Sequence, residues 1–247
     1  MAEMLIVPDI HGEDFYKPVL EVNDKNIVFL GDYLDPYPEK GCTEEHAIEN
    51  LQEIIEFKKQ NTSTVHLLLG NHDCGYIWPY VCESRRSHKY YHDIKVLFED
   101  NFDLFDLVYQ TDRYLLSHAG VHKQWYDIIY QFVTNENPSE YSNIGDWLNN
   151  WFHCKEYEKE APLSLYSNFR GLSGYMFGSC VWADVREWAL YAKENRELHC
   201  YQIFGHTRLR DKPIIEDGYA CIDCRRYFVL EDDVLKDLNK EETYNLL

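Results

Sequence analysis

Five short polar blocks in the sequence combine side chains that bind divalent metal ions. Carboxylate oxygens, imidazole nitrogens and amide oxygens are ligands that hard and borderline divalent cations accept. A single such block is more often a helix cap or a satisfied core residue than a ligand. The blocks are Asp9-Ile10-His11-Gly12, Gly31-Asp32-Tyr33-Leu34-Asp35, Gly70-Asn71-His72-Asp73, Ser117-His118-Ala119-Gly120 and Gly205-His206-Thr207.

The apolar runs that precede these blocks explain how the blocks are brought together. Strands are predicted at 4–7, 26–30, 65–69, 114–117 and 201–204, and each block lies at or directly after the end of one of them. The carboxyl ends of neighbouring parallel strands meet at one edge of a sheet, so residues at these positions converge. The sequence therefore predicts a metal site at the carboxyl edge of a sheet.

Helices separate several of the predicted strands. Thr43 is a suitable N-cap, and the apolar residues after it recur at helical spacing as far as Gln60. Further helices are expected at 88–99 and 184–195. Strands alternating with helices indicate an α/β domain. The remaining strands are expected at 104–109, 213–216, 219–224 and 227–230.

Length and composition fit one folded domain spanning residues 1–247. Apolar residues make up 45% of the chain and aromatic residues 15%, which supplies enough buriable surface to offset the entropy of ordering the chain. The formal charge of −19 disfavours nonspecific binding to nucleic acids and to anionic membranes. No run is long and apolar enough for a membrane span or a secretory signal, so we expect a cytoplasmic protein with reduced cysteines.

Two other patterns allow more than one interpretation. Cys221 and Cys224 form a CxxC, but no second CxxC or His pair with matching spacing accompanies it, so we expect strand packing rather than a zinc site. The stretch at about 121–169 is rich in aromatic residues and predicts a helical cap or insertion. Trp147 and Trp151, four residues apart, are expected to pack within a helix rather than to bind a ligand.

Taken together, the five blocks resemble the signature of the calcineurin-like metallophosphoesterases, which runs D-x-H, GDxxD, GNH(E/D), a later His and GH. The similarity extends from position 9 to position 207 and is greatest to the serine/threonine protein phosphatase branch with its bacterial and phage relatives. It implies a four-layer α/β (α+β) sandwich, in which helices flank two packed mixed β-sheets. The metal site of that fold lies at the carboxyl ends of the strands.

The resemblance also implies two divalent metal ions, with manganese expected and iron or zinc as alternatives. Asp32 would bridge the two ions, and a shared carboxylate reduces the repulsion between cations about 3.5–4 Å apart. A water molecule bound to both ions loses its proton near neutral pH and becomes the nucleophile. The implied ligands are Asp9, His11 and Asp32 for one ion, and Asp32, Asn71, His118 and His206 for the other.

By the same analogy, His72 is the general acid that gives a proton to the leaving oxygen, and Asp35 orients its ring. The sequence departs from the protein phosphatase branch at Pro36, where that branch usually carries a phosphate-binding arginine. A guanidinium fork elsewhere in the chain would then bind the phosphate oxygens. The candidates for this role are Arg170, Arg186 and Arg208.

These assignments predict an enzyme that hydrolyses phosphate monoesters, with phosphoserine, phosphothreonine or a small phosphorylated metabolite as the substrate. The alternative is hydrolysis of dinucleoside polyphosphates, or of other nucleotide anhydrides or diesters, in which the stretch 121–169 would stack on a base. A noncatalytic metal-binding scaffold with the same fold is a third interpretation. Such a protein would have lost metal ligands or the general acid, and all seven of these residues are present here.

Overall fold

The computed structural model describes residues 3–22, 24–78, 84–132, 143–154 and 177–246. The strands in these ranges are β1 Met4–Val7, β2 Asn26–Phe29, β3 Val65–Leu68, β4 Phe105–Asp106, β5 Val108–Gln110, β6 Tyr114–Ser117, β7 Tyr201–Phe204, β8 Ile214–Glu216, β9 Tyr219–Cys221, β10 Phe228–Glu231, β11 Val234–Asp237 and β12 Glu242–Asn245. The α-helices are α1 Glu44–Gln60, α2 Asn71–Ile77, α3 Tyr91–Asp100, α4 Lys123–Phe132, α5 Ile144–His153, α6 Val185–Leu190 and α7 Ala192–Asn195.

The described strands form two mixed sheets. The first sheet has the order β12-β11-β10-β1-β2-β3-β4, and β1 to β4 are parallel to one another. The second has the order β5-β6-β7-β9-β8, with β6, β7 and β9 parallel. Each sheet therefore has a parallel centre, which places the carboxyl ends of its central strands at one edge.

Strand β1 shows how the sheets are stacked. All four of its residues are buried, and successive side chains point to opposite faces. Met4 and Ile6 enter a core that also contains Ile203 of the second sheet. Leu5 and Val7 enter a different core on the outer face, shared with the apolar side of α1. A strand buried on both faces needs a continuous apolar sequence, and that is what residues 4–7 provide.

Helices cover the outer faces of both sheets. Helix α1 begins where predicted, because the Thr43 hydroxyl accepts a 3.1 Å hydrogen bond from the backbone N–H of His46. On the second sheet, Trp188 of α6 packs against Phe204 and Tyr219 with ring centroids 5.2 and 5.4 Å apart. The order of layers is helix, sheet, sheet, helix, which confirms the predicted four-layer sandwich.

Three elements differ from the sequence-based expectation. The strand predicted at 104–109 is two strands, since the chain leaves the first sheet after β4 and enters the second at β5. The helix predicted at 184–195 is interrupted at Tyr191 between α6 and α7. No strand was predicted at β11 or at the edge strand β12, because Lys, Asp, Glu and Asn interrupt the apolar pattern there.

The aromatic stretch contributes to the main core where the structure describes it. Trp147 and Trp151 are 2% and 1% exposed, and their rings are nearly parallel at 6.4 Å, so the prediction that they pack within a helix is confirmed. Residues 133–142 and 155–169 of the predicted insertion lie outside the described residues.

Cys221 and Cys224 are buried in two different core clusters. In the described ranges, no helix combines the length and the apolar character needed to cross a membrane.

Candidate metal centre

The residues predicted to bind metal meet where the carboxyl edges of the two sheets face each other. The first sheet contributes four of them through the chain that follows β1, β2 and β3, and the second contributes two through the chain that follows β6 and β7. All are nearly inaccessible to solvent. Their exposed fractions are 2% for Asp9, His11 and Asp32, 3% for Asn71, 0% for His118 and 7% for His206. We call these six residues the ligand cluster.

The contacts of His118 are those of a side chain that can bind a cation. Its Nδ1 lies 2.9 Å from the carbonyl oxygen of Leu30, and because a carbonyl can only accept, that nitrogen carries the ring proton. The lone pair of Nε2 then faces Asn71 Oδ1 and His206 Nδ1 at 3.1 Å and Asp32 Oδ2 at 3.5 Å. A carbonyl that fixes the tautomer in this way is typical of metal-binding histidines.

His11 is held in the same manner on the other side of Asp32. Its Nδ1 donates to the carbonyl oxygen of Leu34 at 2.7 Å, and its Nε2 lies 3.5 Å from Asp32 Oδ2. Burial lowers the pKa of His11 well below the usual range, against the opposing effect of the Asp32 carboxylate. The ring is therefore neutral, which is the form that binds a metal ion.

Asp32 is the residue that the two halves of the ligand cluster share. One group of potential metal ligands comprises His11, Asp32 and His72, and another comprises Asp32, His118 and His206, with the ligand atoms in each group within 4.8 Å of one another. Burial by itself would raise the pKa of Asp32, but the neighbouring imidazoles, led by His118, hold it below the usual range. The carboxylate is thus ionised at the centre of the site.

Asp9 belongs to neither of these two groups. Its Oδ1 accepts a 2.9 Å hydrogen bond from the backbone N–H of His206 and lies 4.0 Å from His118 Nδ1. Burial raises the pKa of Asp9, although His118 opposes that shift. The carboxylate joins the loop after β1 to the loop after β7, and its assignment as a metal ligand stays a prediction.

Several residues of the site have an unusual backbone conformation. The φ angles of His11, Asp32, Asp35 and His206 are 45°, 53°, 59° and 61°. Non-glycine residues rarely adopt this left-handed region, and where they do the surrounding structure must hold them there. Such positions are concentrated at functional sites, so the backbone independently marks this edge of the sheets as one.

A close approach of two loops positions Asp32. Gly31 has a φ of +99°, and a Cβ atom placed on it would lie 2.3 Å from the backbone nitrogen of Gly70. The loops after β2 and β3 can approach this closely only because neither residue carries a side chain. As a result, Asp32 Oδ1 accepts a 3.0 Å hydrogen bond from the backbone N–H of His72.

Asp73 is a positioning residue that the motif did not single out for a role. It is fully buried and accepts hydrogen bonds from the backbone N–H groups of Asp32 at 2.7 Å, Gly70 at 2.8 Å and Tyr33 at 3.2 Å. Burial, followed by the nearby Asp32 carboxylate, raises its pKa. Asp73 thus fastens the two loops whose close approach places Asp32.

The predicted general acid and its partner are within hydrogen-bond distance. His72 Nδ1 lies 2.6 Å from Asp35 Oδ2, and the Tyr76 hydroxyl donates to the other oxygen of that carboxylate. Since Asp35 engages Nδ1, the other ring nitrogen is the one available for chemistry. That Nε2 lies 3.3 Å from Nη2 of Arg85, which also donates to the Asp35 carbonyl oxygen at 2.8 Å.

The three arginines predicted to bind phosphate have different positions. The Arg208 guanidinium lies 4.5 Å from the centre of the Tyr37 ring, beside the site. Arg186 instead forms a two-pronged pair with Asp184, with both hydrogen bonds 2.9 Å long, so these donors are already engaged. Arg170 lies outside the described residues.

Two further arginines lie at the site and were missed by sequence reasoning. The guanidinium carbons of Arg85 and Arg225 lie 3.6 and 5.0 Å from the centre of the Tyr37 ring, which itself packs edge-on against His11. We call Tyr37, Arg85, Arg208 and Arg225 the arginine–tyrosine cluster. The presence of Pro36 in place of an arginine was the one signal that another residue must bind the phosphate. No local pattern pointed to the loops that carry Arg85 and Arg225.

Comparisons with known proteins agree with this fold. The family model for the calcineurin-like phosphoesterases matches residues 3–208. A cold-active protein-tyrosine phosphatase from a psychrophilic Shewanella species has a TM-score of 0.60 and 16% identity over 100% of this chain and 81% of its own. A protein serine/threonine phosphatase from Saccharomyces cerevisiae, with similarity to human phosphatase PP5, has a TM-score of 0.57 and 16% identity over 100% and 80%. At this identity, the structures show a shared fold alone. No curated protein sequence matches.

Proposed function

The chain belongs to the calcineurin-like phosphoesterase family, and we propose that it hydrolyses phosphate monoesters with two divalent metal ions held by the ligand cluster. The observation that carries this proposal is the position of Asp32. His11 Nε2 from the first sheet and His118 Nε2 from the second both lie 3.5 Å from Asp32 Oδ2. A carboxylate that lies between two sets of metal-binding atoms is suited to bridging two cations.

The ligand cluster would hold these ions through the residues that the resemblance implies. One ion would be held by Asp9, His11 and Asp32, and the other would be held by Asp32, Asn71, His118 and His206. Bound there, two divalent cations supply an ionised water near neutral pH and neutralise the phosphoryl oxygens. Oxygen and imidazole ligands accept several first-row ions, so the ligand types do not select one metal. We choose manganese for the test, with iron and zinc as alternatives.

We assign His72 the role of proton donor to the leaving oxygen. The hydrogen bond to Asp35 fixes the ring through Nδ1, and the Tyr76 hydroxyl in turn fixes Asp35. A positioned general acid of this kind contributes roughly 10²–10⁴-fold to the rate. The leaving alkoxide would otherwise depart with a full negative charge.

His72 has a competing role as a metal ligand, because its ring belongs to a group with His11 and Asp32. The position of Arg85 argues against that role. Its Nη2 lies 3.3 Å from His72 Nε2, the one ring nitrogen that Asp35 does not engage. A guanidinium so close to a metal-binding nitrogen would repel the cation, whereas it attracts a phosphate group.

Arg85 and Arg225 are the residues we propose for binding the phosphoryl oxygens. They would replace the arginine that the protein phosphatase branch usually carries where this chain has Pro36. Arg225 Nη1 donates to the backbone carbonyl of Asp9 at 3.2 Å, which fixes the guanidinium beside the ligand cluster. Arginine suits this role because its planar fork contacts two oxygens at once.

The substrate of the proposed monoesterase is a phosphoserine or phosphothreonine residue or a small phosphorylated metabolite. Nucleotide anhydrides are the second candidate. The observation that favours them is Arg208, a third arginine beside Tyr37. A scaffold role without catalysis is disfavoured because the ligand cluster and the His72–Asp35 pair are all present and buried.

The proposal is tested by the hydrolysis of para-nitrophenyl phosphate and of its bis ester by metal-free protein, with and without manganese. Manganese-dependent turnover of the monoester, abolished by a chelator, is the expected result. Preference for the bis ester would indicate that phosphodiesters, and not monoesters, are the substrates. Absence of turnover of both compounds, with about two manganese ions bound per chain, would contradict the monoesterase and favour anhydrides or the scaffold.

A further inference from the structure

The arginine–tyrosine cluster concentrates positive charge beside the ligand cluster. The guanidinium carbons of Arg85, Arg208 and Arg225 lie 3.6, 4.5 and 5.0 Å from the centre of the Tyr37 ring. No two of them are therefore farther apart than about 10 Å, which is about the Debye length at 0.1 M ionic strength. The whole chain carries a formal charge of −19, so this concentration of cations is a local exception. Carboxylates lie 3.3 to 3.9 Å from Arg208 and Arg225, so they compensate part of this positive charge.

The buried guanidinium of Arg225 lies beside two carboxylates with which, among the described residues, it forms ion pairs but no hydrogen bonds. Its side chain is 8% exposed, and the nearest carboxylate oxygens are those of Asp223 at 3.3 Å and Glu13 at 3.9 Å. Within the part of the chain that the structure describes, its Nε and Nη2 make no hydrogen bond. A buried donor that lacks an acceptor costs free energy, which an anion at this position would recover.

Arg85 is beside the atom that we assign to proton donation. Its Nη2 lies 3.3 Å from His72 Nε2 and its Nη1 donates to the Asp35 carbonyl oxygen, and no carboxylate of the described residues is within ion-pair distance of it. With His72 as the proton donor, a cation at this point would face the leaving group of the substrate. It would stabilise negative charge on that group.

Arg208 is the outermost member of the cluster. Its side chain is 40% exposed, whereas that of Arg225 is 8% exposed, and its ion pair with Glu39 is at the surface. The exposure of the three arginines therefore differs, with Arg225 buried and Arg208 at the surface. The proposed metal ions would already occupy oxygens of the reacting phosphoryl group, so three guanidinium forks offer more donors than that group has acceptor positions left.

We infer that the arginine–tyrosine cluster binds a second phosphate group of the substrate, joined to the first on its leaving-group side. The preferred substrates are then compounds with two linked phosphates, such as phosphoanhydrides. This inference rests on the metal centre of the proposed function, and it favours the second candidate of that proposal, phosphoanhydrides, over monoesters. It follows from the position of Arg85 beside Nε2 of His72 and from the exposed Arg208 at the same tyrosine ring.

Hydrolysis of such a compound balances with water alone. The water oxygen forms a bond to the terminal phosphorus, and the bond from that phosphorus to the bridging oxygen breaks. The bridging oxygen keeps the electron pair and leaves as part of the second phosphate. One hydrogen of the water stays on the first phosphate, and the other passes to the leaving phosphate or to solvent.

The test compares the binding of inorganic phosphate with that of imidodiphosphate, whose bridging nitrogen resists hydrolysis. Isothermal titration calorimetry is carried out on manganese-loaded protein, at equal free manganese in the cell and the syringe. Wild-type protein is expected to bind imidodiphosphate about 10- to 100-fold more tightly than phosphate, since charge-assisted hydrogen bonds are worth that factor. Arg208→Ala is expected to remove most of this difference and to weaken phosphate binding by a smaller factor.

Two arginines outside the cluster are matched controls. Arg196 forms an exposed ion pair with Asp217 at 2.6 Å, as Arg208 does with Glu39, and Arg86 is the sequence neighbour of Arg85 but lies over Tyr91. Arg196→Ala and Arg86→Ala are expected to keep the full preference for imidodiphosphate. Equal affinities of wild-type protein for the two anions would overturn the inference. Equal losses in Arg208→Ala and Arg196→Ala would also do so, because they would indicate a nonspecific effect of charge.

The binding test separates this inference from the proposed function. If the protein turns over a monoester but binds imidodiphosphate no more tightly than phosphate, the proposed function stands and the inference is wrong. If it prefers imidodiphosphate but turns over no monoester, the second-phosphate subsite stands and monoester hydrolysis is rejected. Arg208 is exposed, so its replacement does not disturb a packed core.

Discussion

The ligand cluster and the arginine–tyrosine cluster lie side by side, but the fold holds them in different ways. Every member of the ligand cluster lies in the chain directly after one of five strands, β1, β2, β3, β6 or β7. The arginines lie in loops, with Arg85 before α3, Arg208 between β7 and β8, and Arg225 between β9 and β10. Strand ends are fixed by the hydrogen bonds of a sheet, whereas loop positions vary more freely.

The two clusters also have opposite electrostatic character. The ligand cluster offers carboxylates and imidazoles at 0 to 7% exposure, which suits cations that must be held rigidly. The arginine–tyrosine cluster offers guanidinium groups at 8 to 40% exposure for Arg225 and Arg208, which suits an anion that must enter and leave. On the proposed function, strand ends would determine the chemistry and the adjoining loops would determine the substrate.

Replacement of Asp32 should have the largest effect. Asp32→Asn keeps the size of the side chain but removes the charge that both sets of imidazoles face at 3.5 Å. We expect loss of bound metal together with loss of activity, measured as metal content by mass spectrometry and as manganese-dependent turnover. Asp217→Asn, at a carboxylate that is 81% exposed, is the control and should change neither. Retention of both ions by Asp32→Asn would contradict its bridging role.

Replacement of His72 should give a smaller effect that separates catalysis from metal binding. His72→Asn is expected to lower the rate on an alkyl phosphate by about 10²–10⁴-fold with the metal content unchanged, because the variant loses the proton donor but no ligand. The control is His153→Asn, since His153 forms a similar pair with Asp106 at 3.0 Å away from the site. Loss of one metal ion from His72→Asn would instead assign this residue to the ligand cluster.

Replacement of Tyr37 should have the smallest effect and should act on binding alone. Tyr37→Leu removes the ring that three guanidinium groups surround, and cation–π contacts are worth about 0.5–2 kcal/mol, so we expect KM to rise about 3- to 30-fold. Tyr37→Phe keeps the ring and should restore most of the affinity. Tyr90→Leu, at a ring that Lys89 overlies at 4.4 Å, is the control.

The Tyr37 variants also test whether the two clusters are independent. Tyr37 packs edge-on against His11 with ring centroids 5.0 Å apart, so the clusters are in contact. If Tyr37→Leu loses metal as well as affinity, the arginine–tyrosine cluster supports the ligand cluster mechanically. If metal content and kcat stay unchanged while KM rises, the division between chemistry at strand ends and substrate binding in loops holds.

Much of the fold could be predicted because the local pattern and the tertiary structure agree. Residues 4–7 are apolar throughout, and the structure buries this strand on both faces. Thr43 caps α1 as expected. The prediction failed where tertiary context decides, as at Leu107, where the largely apolar run 104–109 divides between two sheets. A local pattern shows that residues are buried but not in which sheet.

The ligand cluster and the arginine–tyrosine cluster differ in how much of each the sequence determined. The strand-end blocks predicted where the metal site lies, because residues that follow parallel strands meet at the edge of the sheet, and the family resemblance supplied the six residues of the ligand cluster. Among the arginines of the second cluster, the sequence pointed to Arg208 but not to Arg85 or Arg225. These two come from loops far apart along the chain, and only the packing of both sheets brings them to one tyrosine ring. Local sequence carries no signal for such a contact, so the tertiary structure alone decided it.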